Sequence, residues 1–565
     1  MKVGSTTPWP PTPSPTDVHP SRSFARVGLG TRFGVPALTV AGIISLGLAL
    51  RVWMMARAGW FIDGDDGVAG IMAAHILRGE RPIFLYGQSW MGAFQSYLIA
   101  ISFSLFGMSR VALKLVTLFE FAAFALSLYF LARRVGGARV AALSTLLAAI
   151  PSVYVLSVTG HLWGPLLDAM TLGTLILLLA IDEAYGTTPP RRPWLRFLAI
   201  GFLGGAGFWL HGQIVIYLAT AALLLFMRNK RVILQPRILG AAVGFVLGAA
   251  PVFIYAFHHE FTTFHYYLRD VLGREQFSPS LRDYQAIATH YVLVNVTRVA
   301  GIAVPWRANP DWLQLSVALI VGGAILALAL RRYKGIIGWF RLSLRDGRPE
   351  DALLLYAALL SIAFVLSSFG HWALTFPHID ATGRYTVPLA SVLPIMLAIE
   401  AVRLADRVRP AAALTILVLI GYTLFNYAGS AAHDVWKSPY SGLPHQPASN
   451  AELIATLDDL GVDAVWVNQW VGKPLMFDTR ERISAADYFV LGGDFDRLPA
   501  HTERVRTAAL PAFVFVTDEP VFGMETWLDE RQIPYMKRVA PPFVVLRPLQ
   551  PVDPAQVVQY MGDDR

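Results

Sequence analysis

The sequence has no cysteine, so neither a disulfide framework nor a thiolate metal site is available to this chain. Charged residues are scarce as well, because Asp, Glu, Lys and Arg make up 15% of the 565 residues whereas 55% are hydrophobic. So little charge on so apolar a chain excludes a single soluble core. The composition therefore predicts a polytopic α-helical membrane protein.

Two other features exclude further classes of protein. The net charge of +8 does not indicate a nucleic-acid partner, because Lys and Arg are concentrated in short links between apolar runs, which is typical of membrane orientation. The sequence contains no GxxxxGKS or GxxxxGKT stretch, so no phosphate-binding loop of that kind is expected.

Apolar runs long enough to span a bilayer follow a proline-rich N-terminus. Residues 1–35 include "TPWPPTPSPT" and are predicted to be disordered and cytoplasmic. The first run has no cleavage site after a short apolar core, so we interpret it as an uncleaved span. About eleven spans are predicted, at 36–56, 111–131, 138–158, 162–181, 196–211, 213–227, 237–257, 311–330, 352–369, 385–402 and 410–428.

The charges of the links predict the topology of a multi-pass protein of the cytoplasmic membrane. The run at 92–107, about sixteen residues long, is short for a span, and we interpret it as a re-entrant or juxtamembrane helix. The region 196–227 is either two short spans broken near His211 or one bent span, and two spans preserve the alternation. With the N-terminus inside, the cytoplasmic links are all basic, namely 133–139, 191–196, 228–231, 331–348 and 402–409.

The odd number of spans predicts that the C-terminal part of the chain lies on the extracytoplasmic side of the membrane. After the membrane domain (36–430) and a linker rich in Pro and Ser (431–450), residues 451–565 are predicted to form a small soluble extracytoplasmic α/β domain. Its expected role is scaffolding or recognition of an acceptor. The pattern predicts helices at "NAELIATLDDLGV" and "GMETWLDERQI" and strands at "DAVWVNQW", "DYFVLGG" and "AFVFVTDE".

Three aspartates lie close together in the first outer loop, in "FIDGDDGVAGIMAA". One interpretation is that Asp63, Asp65 and Asp66 cap a helix that begins near Gly67, where carboxylates favour the positive helix end. One cap needs only one acid, and three neighbouring carboxylates repel one another unless a cation or a proton donor approaches. The cluster is therefore a candidate catalytic site.

The same side of the predicted membrane gathers other polar side chains. A histidine at a helix end is more often structural than a ligand, and arginine there commonly extends toward lipid headgroups. Together, however, the residues describe an outward-facing cavity with carboxylates on one wall and cations on others. The candidate substrate-binding residues are Tyr86, Gln88, Trp90, His161, His211, His258, Arg269, Arg274, His371, His378 and Arg384.

Two stretches resemble a known class of enzymes. "DDGVAGIMAAHILRGERPIFLYGQSWMGAFQSYLIA" and "GRYTVPLASVLPIMLAIEA" are similar to segments of GT-C integral-membrane glycosyltransferases, especially the bacterial relatives of protein mannosyltransferases and of the lipid A aminoarabinose transferase (glycosyltransferase family 39-like). The likeness covers most of positions 36–428. It implies a polyprenyl-phosphate-linked sugar donor and a lipid, polysaccharide or protein acceptor, besides contact with membrane lipids.

The resemblance also implies a role for the acidic pair, whose aspartate acts on the acceptor hydroxyl. In this sequence the pair falls on Asp65 and Asp66, with Asp65 the better candidate for the base. The usual pair is Asp-Glu, and the substitution of Asp for Glu, with the extra Asp63, leaves the choice of base open.

The expected chemistry needs a base and a phosphate clamp. A carboxylate beside the sugar stabilises an oxocarbenium-like state and accepts the hydroxyl proton, and a leaving phosphate is stabilised by cations. Arg384 is favoured because it opens a span in the matching segment, and His211 because it interrupts an apolar run. The clamp would come from these and the nearby histidines, together with Arg269, Arg274, Arg298 and Arg307.

Some alternatives stay open. No cofactor is expected, although "DGD" also resembles the DxD metal motif of cytosolic nucleotide-sugar transferases, so a divalent metal at Asp63, Asp65 and Asp66 is the alternative. The main rival function is a transporter or flippase of a lipid-linked sugar or anionic lipid, and a sensor or assembly protein is the second. An acid cluster outside the spans and the lack of an evident inverted repeat argue against a transporter.

Overall fold

The computed structural model describes residues 37–186, 192–271, 279–304, 306, 311–375, 383–432, 447–487, 496–517 and 521–557. The predicted disordered N-terminus and most of the predicted linker therefore lie outside the described residues. The same is true of the predicted strand "DYFVLGG" after Asp487, and of Arg274, Arg307 and His378.

The described residues between 37 and 432 form a helical bundle with one small hairpin. The hairpin strands are β1 (Phe84–Leu85) and β2 (Gln88–Gly92), which pair antiparallel. The helices are α1 (Ala37–Arg57), α2 (Gly64–Leu77), α3 (Phe94–Phe106), α4 (Arg110–Ala149), α5 (Val153–Gly160), α6 (Leu166–Tyr185), α7 (Pro193–Leu210), α8 (Ile214–Arg228), α9 (Arg237–Gly248), α10 (Ala250–His258), α11 (Thr262–His265), α12 (Leu281–His290), α13 (Thr297–Val299), α14 (Trp312–Arg331), α15 (Tyr333–Phe340), α16 (Pro349–Leu366), α17 (Ser368–Thr375), α18 (Leu393–Arg407) and α19 (Arg409–Ala432), with 3-10 or π turns at Lys230–Leu234, Tyr266–Val271, Tyr291–Val296 and Gly383–Ser391.

Several helices are long and apolar enough to cross a membrane. Six pass by length and composition within the described residues, namely α1, α4, α7, α14, α16 and α19. The bent pairs α9–α10 (57°) and Gly383–Ser391 with α18 (42°) raise the number to eight. The chain is therefore a polytopic membrane protein. Each of the eleven predicted runs is largely helical, but a count of eleven spans is not confirmed, because helices such as α8 are short.

A kink replaces one predicted link. The predicted spans 111–131 and 138–158 meet inside α4, where Gly137 has a φ of +81° and breaks the helical geometry. Glycine adopts this left-handed backbone without a Cβ penalty, which explains a sharp bend at this position. The predicted link 133–139 is thus helical apart from the kink at Gly137.

Ion pairs join the predicted basic links to one another at one end of the bundle. Arg139 in the link at 133–139 pairs with Asp406 in the link at 402–409, at 2.8 Å. Arg134 pairs with Asp182 at the end of α6. We call this the basic end, and the opposite end, which carries the loop after α1, the site end.

The described part of the C-terminal domain is a five-stranded mixed sheet with helices. Its elements are α20 (Ala451–Asp459), β3 (Ala464–Trp466), α21 (Gln469–Asp478), β4 (Ser484–Ala486), α22 (Pro499–Thr507), β5 (Ala512–Val516), α23 (Val521–Glu530), β6 (Tyr535–Ala540) and β7 (Phe543–Pro548). The strand order is β4-β3-β5-β7-β6, with β3 parallel to β4 and β5 and the other pairs antiparallel. The predicted α/β architecture is confirmed.

The two faces of this sheet belong to different cores. Val465, Val514 and Val545 point into a core that also contains residues of α2, α3 and α4, whereas Trp466 and Phe513 point to the far side of the domain. This alternation follows from the two-residue period of a strand. The domain therefore packs directly on the site end of the bundle.

Three glycines allow α2 and α21 to pack closely. Gly64, Gly67 and Gly70 recur every third residue and so lie on one face of α2. A Cβ on Gly67 would lie 2.8 Å from the carbonyl carbon of Lys473, and one on Gly70 would lie 2.5 Å from the ring of Phe477. This glycine stripe, formed by Gly64, Gly67 and Gly70, therefore sets how closely the first loop approaches the C-terminal domain.

Replacing Gly67 with alanine tests this close packing. The added methyl meets main-chain atoms of α21, so we expect Gly67→Ala to destabilise the protein by about 1–3 kcal/mol, as overpacking usually does. Thermal unfolding of the full chain in detergent measures the effect. The matched control is Gly42→Ala in α1, where nothing lies within 4 Å of the new Cβ. Equal unfolding midpoints for the two variants would contradict the packing argument.

Candidate active site

The predicted capping role of the aspartates is confirmed for two of them. Asp63 is the N-cap of α2: its Oδ1 accepts a hydrogen bond from the Asp66 backbone N–H at 3.0 Å, and Asp66 Oδ2 accepts one from the Asp63 N–H at 3.1 Å. This reciprocal capping box satisfies two amide groups of the first turn. Because of it the helix begins at Gly64, about one turn before the predicted start.

Asp66 also binds groups from two other parts of the chain. Its Oδ2 accepts hydrogen bonds from Lys114 Nζ at 2.7 Å and from His161 Nδ1 at 2.9 Å, and its Oδ1 accepts one from the Leu162 N–H at 2.7 Å. The Asp66 side chain is 0% exposed and that of Lys114 is 1% exposed. With the capping bond, four donors surround this carboxylate, and its ability to accept hydrogen bonds is used up.

The environments of Asp63 and Asp66 shift their pKa values in opposite directions. Burial acts to raise the pKa of Asp66, but the charges of Lys114 and His161 and their hydrogen bonds hold it below its usual range. Burial, reinforced by the Asp66 charge, raises the pKa of Asp63 to about 6. Asp66 is therefore ionised at neutral pH, whereas Asp63 is close to its titration range.

A second layer of side chains surrounds the capping box. Trp163 Nε1 donates a hydrogen bond to Asp63 Oδ2, and its ring stacks on that of His161 with centroids 4.9 Å apart. The Arg384 guanidinium lies 5.7 Å from the centre of the Trp163 ring. Its Nε is buried and has no hydrogen-bond partner in the part of the chain that the structure describes.

Asp65 differs from the other two acids in its surroundings. Its side chain is 23% exposed, and its Oδ1 pairs with Arg497 Nη1 from the C-terminal domain. Among the described residues, Oδ2 accepts no hydrogen bond. Arg384 and Lys473 lie close enough for their charges to interact with that of Asp65. One carboxylate oxygen of the cluster is thus open in a positively charged environment.

Lys473 of α21 adds a titratable amine to this region. Its Nζ donates a hydrogen bond to Gln469 Oε1 at 2.5 Å. Burial, with the nearby Arg497 charge, lowers the pKa of Lys473 to about 8. The positive charge around Asp65 therefore decreases in mildly alkaline solution.

The β1–β2 hairpin carries three of the predicted substrate-binding residues. The Tyr86 hydroxyl lies 2.9 Å from His75 Nδ1, and its carbonyl oxygen accepts a hydrogen bond from Arg497 Nε at 3.0 Å. Trp90 stacks on Tyr266 with ring centroids 3.9 Å apart. Gln88 begins β2, so the hairpin lies between Arg497 and the turn that follows α11.

His211 lies in the link between α7 and α8, as expected for a residue that interrupts an apolar run. Its backbone pairs with that of Met91, and its ring centroid is 5.7 Å from that of Tyr385. Burial, with the Arg384 charge nearby, lowers the pKa of His211 to about 3. The ring is therefore neutral and supplies a hydrogen bond but no positive charge.

Other predicted residues lie elsewhere or outside the described ranges. His258 and Arg269 are exposed. Arg298 is half-buried on α13, and His371 lies on α17 beside Asp283 of α12. Their roles, like those of Arg274, Arg307 and His378, stay predictions.

Three groups at the site have the donor types of a metal centre. Asp63, Asp66 and His161 each offer a ligand atom within 4.8 Å of the others, and Asp65 is not part of the group. However, the Lys114 ammonium lies 2.7 Å from Asp66 Oδ2 and 3.4 Å from His161 Nδ1. An ammonium at this position repels a second cation, so the residues as arranged do not fit a metal ion.

Sequence reasoning missed Lys114, Trp163, Lys473 and Arg497. Lys114 carried a signal, because it interrupts the apolar run "VALKLVTLF" and a charge there is costly unless it has a partner. Trp163 and Arg497 reach Asp63 and Asp65 across 100 and 432 residues of chain, and no local pattern marks such contacts.

Comparisons with known proteins agree with this architecture. The sequence profile of a family described as dolichyl-phosphate-mannose-protein mannosyltransferase matches residues 92–255. ArnT from Cupriavidus metallidurans bound to undecaprenyl phosphate has a TM-score of 0.59 and 14% identity, covering 90% of this chain and 97% of that chain. The apo state of the same protein has a TM-score of 0.58 and 14% identity, covering 90% of this chain and 98% of that chain.

Further matches are weaker. The Archaeoglobus fulgidus oligosaccharyltransferase AglB, in complex with an inhibitory peptide and a dolichol-phosphate, has a TM-score of 0.46 and 15% identity, covering 84% of this chain and 69% of that chain. No curated protein sequence matches significantly. The likeness to ArnT shows that the chain has the GT-C fold, as the two resembling stretches predicted.

Replacing Asp66 tests the buried ion pair. In Asp66→Asn the Lys114 ammonium stays buried without its counterion, so we expect a loss of about 3–5 kcal/mol of stability. Thermal unfolding in detergent measures it. The double variant Asp66→Asn/Lys114→Met should regain part of the loss, because no charge is then left unpaired. Asp406→Asn, at the exposed pair with Arg139, is the control and should have little effect. An Asp66→Asn midpoint equal to that of this control would refute the assignment.

Proposed function

From the GT-C fold and the site geometry, we propose that this chain is a membrane glycosyltransferase. It moves a sugar from a polyprenyl-phosphate donor to an acceptor hydroxyl on the outer face of the cytoplasmic membrane. The observation that carries the proposal is the difference among the three acids: Asp63 and Asp66 are locked in a capping box, whereas Asp65 presents an open oxygen. The undecaprenyl phosphate bound to the similarly folded ArnT supports a donor of this class.

Asp65 is the base in this proposal. Its Oδ2 takes the proton of the acceptor hydroxyl while that oxygen forms a bond to the anomeric carbon of the sugar. The bond between this carbon and the phosphate oxygen breaks, and polyprenyl phosphate leaves with the electron pair. The negative charge of Asp65 also stabilises the oxocarbenium-like state. Asp63 and Asp66 hold the loop and do not touch the acceptor.

Arg384 is proposed to bind the donor phosphate. It lies on the same side of the bundle as Asp65, its Nε is a buried donor without a partner among the described residues, and it is held against the Trp163 and Tyr385 rings. A phosphate oxygen would accept this hydrogen bond and neutralise the charge. Charge-assisted bonds of this kind stabilise the leaving phosphate as its negative charge grows. His211, being neutral, contributes at most one hydrogen bond.

The orientation follows from the charges of the links. The basic end is proposed to face the cytoplasm, which places the site end and the C-terminal domain outside. A lipid-linked donor then presents its phosphate at the membrane surface beside Arg384. The acceptor is a lipid, polysaccharide or protein hydroxyl.

One observation favours the rival function, a transporter or flippase. Glu120 of α4 is buried, and its carboxylate accepts hydrogen bonds from Gln95 Nε2 at 2.9 and 3.1 Å. Asp168 of α6 lies close enough for its charge to act on that of Glu120. Paired acids inside a helical bundle often mark ion pathways. In the proposed enzyme the same pair has a structural role.

Replacing Asp65 tests the proposed base. The variant Asp65→Asn keeps the size of the side chain but removes the proton acceptor, so we expect sugar transfer by purified protein to fall by about 10²–10⁴-fold. The measurement is transfer from a polyprenyl-phosphate sugar in detergent or nanodiscs, with Asp406→Asn as control. Undiminished transfer by Asp65→Asn would remove Asp65 from the mechanism. Wild-type protein that moves lipid across vesicles but transfers no sugar would establish the flippase instead.

Removing divalent metal tests whether the Asp63–Asp66–His161 group holds an ion. Because the Lys114 ammonium already lies against Asp66 and His161, we expect transfer to continue after treatment with EDTA and desalting, with no gain on adding Mg²⁺ or Mn²⁺. A required metal ion supplies several kcal/mol of stabilisation, so its loss would lower the rate by more than about tenfold. A rate that falls this far and returns with added ion would show that a metal displaces Lys114.

A further inference from the structure

Among the described residues of the C-terminal domain, Arg497 is the one that hydrogen-bonds to the candidate base. Arg497 Nη1 pairs with Asp65 Oδ1, although the two residues are 432 positions apart. The Arg497 side chain is only 4% exposed. Burying a guanidinium costs desolvation free energy, and an ion pair on the surface would anchor a peripheral domain at lower cost. The burial of Arg497 against Asp65 therefore suggests a role beyond anchoring.

The guanidinium is held from a second side by the β1–β2 hairpin. Its Nε donates a hydrogen bond to the Tyr86 carbonyl oxygen at 3.0 Å. The next residue, Gly87, has a φ of +69°, and a Cβ there would lie 3.3 Å from both Cα and Cγ of Arg497. The hairpin therefore approaches Arg497 closely, and the planar fork can take few orientations.

This geometry leaves the two oxygens of Asp65 unequal. Oδ1 is fixed by Arg497, whereas Oδ2 accepts no hydrogen bond from the described residues. A base must present one oxygen to the incoming hydroxyl in a defined direction, and a displacement of about 1 Å can cost 10²-fold in rate. The ion pair supplies that direction and keeps a positive charge beside the carboxylate.

We propose that Arg497 is a positioning residue for Asp65, so that the C-terminal domain is part of the active site and not only a scaffold above it. This inference rests on the proposed glycosyltransferase function. It assigns the domain a role that neither the fold nor the acid cluster implies by itself.

A second interdomain ion pair provides a matched control. Arg110 at the start of α4 binds Asp478 at the end of α21, with Nε to Oδ1 at 2.9 Å and Nη2 to Oδ2 at 2.5 Å. This arginine also bridges the bundle and the C-terminal domain, but its carboxylate partner is not one of the three acids. If Arg497 only anchors the domain, the loss of either arginine should have the same consequence.

The test compares kcat and KM of Arg497→Gln, Arg497→Lys and Arg110→Gln in the full chain. We expect Arg497→Gln to lower kcat by about 10- to 100-fold with a much smaller change in KM. Arg497→Lys keeps the positive charge but not the planar guanidinium, so its kcat should lie between those of Arg497→Gln and wild type. Arg110→Gln should lower the unfolding temperature and leave kcat near that of wild type. An unchanged kcat in folded Arg497→Gln, or equal losses for Arg497→Gln and Arg110→Gln, would overturn the proposal.

Chemical rescue separates positioning from folding. In Arg497→Ala, millimolar methylguanidinium can enter the space of the lost fork, so we expect it to restore part of kcat. An equal concentration of NaCl should not, and methylguanidinium should not rescue Asp65→Asn. If Arg497→Ala has the unfolding temperature of wild type but methylguanidinium does not restore kcat, the proposal that Arg497 positions Asp65 is contradicted.

A double-mutant cycle tests the contact between Asp65 and Arg497 without any assay of activity. We expect the shifts in unfolding temperature of Asp65→Asn and Arg497→Gln to be non-additive when combined, because the two residues share one interaction. Additive shifts would show that Arg497 does not hold Asp65. If instead the wild-type protein transfers no sugar from any polyprenyl donor, the proposed function fails while this cycle still reports on the pair.

Discussion

The buried carboxylate of Asp66 is the constraint on which the rest of the site depends. It joins the first turn of α2 to Lys114 of α4 and to the turn at His161 and Leu162, so three distant parts of the chain meet at one charge. Without it the Lys114 ammonium would lie unpaired in an apolar environment, which costs several kcal/mol. Asp65, which lies between Gly64 and Asp66 in sequence, takes no part in the capping box and pairs instead with Arg497 of the C-terminal domain.

The structure therefore divides two tasks among three neighbouring acids. Asp63 and Asp66 accept hydrogen bonds on both carboxylate oxygens and organise the loop, whereas among the described residues only one oxygen of Asp65 accepts one. The C-terminal domain takes part in the same arrangement, since its helix α21 packs on the glycine stripe of α2 and its Arg497 meets Asp65. An acid cluster that looked like a metal site is better described as a pre-organised carboxylate with an internal cation, Lys114, in place of the metal.

Much of this could be predicted from the sequence, and the remainder could not for a physical reason. The apolar runs, the α/β domain and the capping aspartates follow from local periodicity and helix-end chemistry, and Asp65 was singled out by its place in the acidic pair. Arg384 was chosen because it opens a span in a stretch that resembles GT-C enzymes, and His211 because a polar group that interrupts an apolar run is costly without a use. Arg497 and Trp163 were missed because their partners Asp65 and Asp63 lie 432 and 100 positions away in the sequence. His258 and Arg269 were included because the predicted topology places them in an outer link, and both are exposed.

The most direct measurement of the central claim is a cryo-electron microscopy structure of the full chain in nanodiscs with a polyprenyl-phosphonate sugar, whose carbon–phosphorus bond the enzyme does not cleave. We predict that the phosphonate contacts Arg384 and that the anomeric carbon lies beside the open oxygen of Asp65, with Arg497 still bound to the other oxygen. A sugar bound away from Asp65, for example along the Glu120–Asp168 pair inside the bundle, would contradict the account.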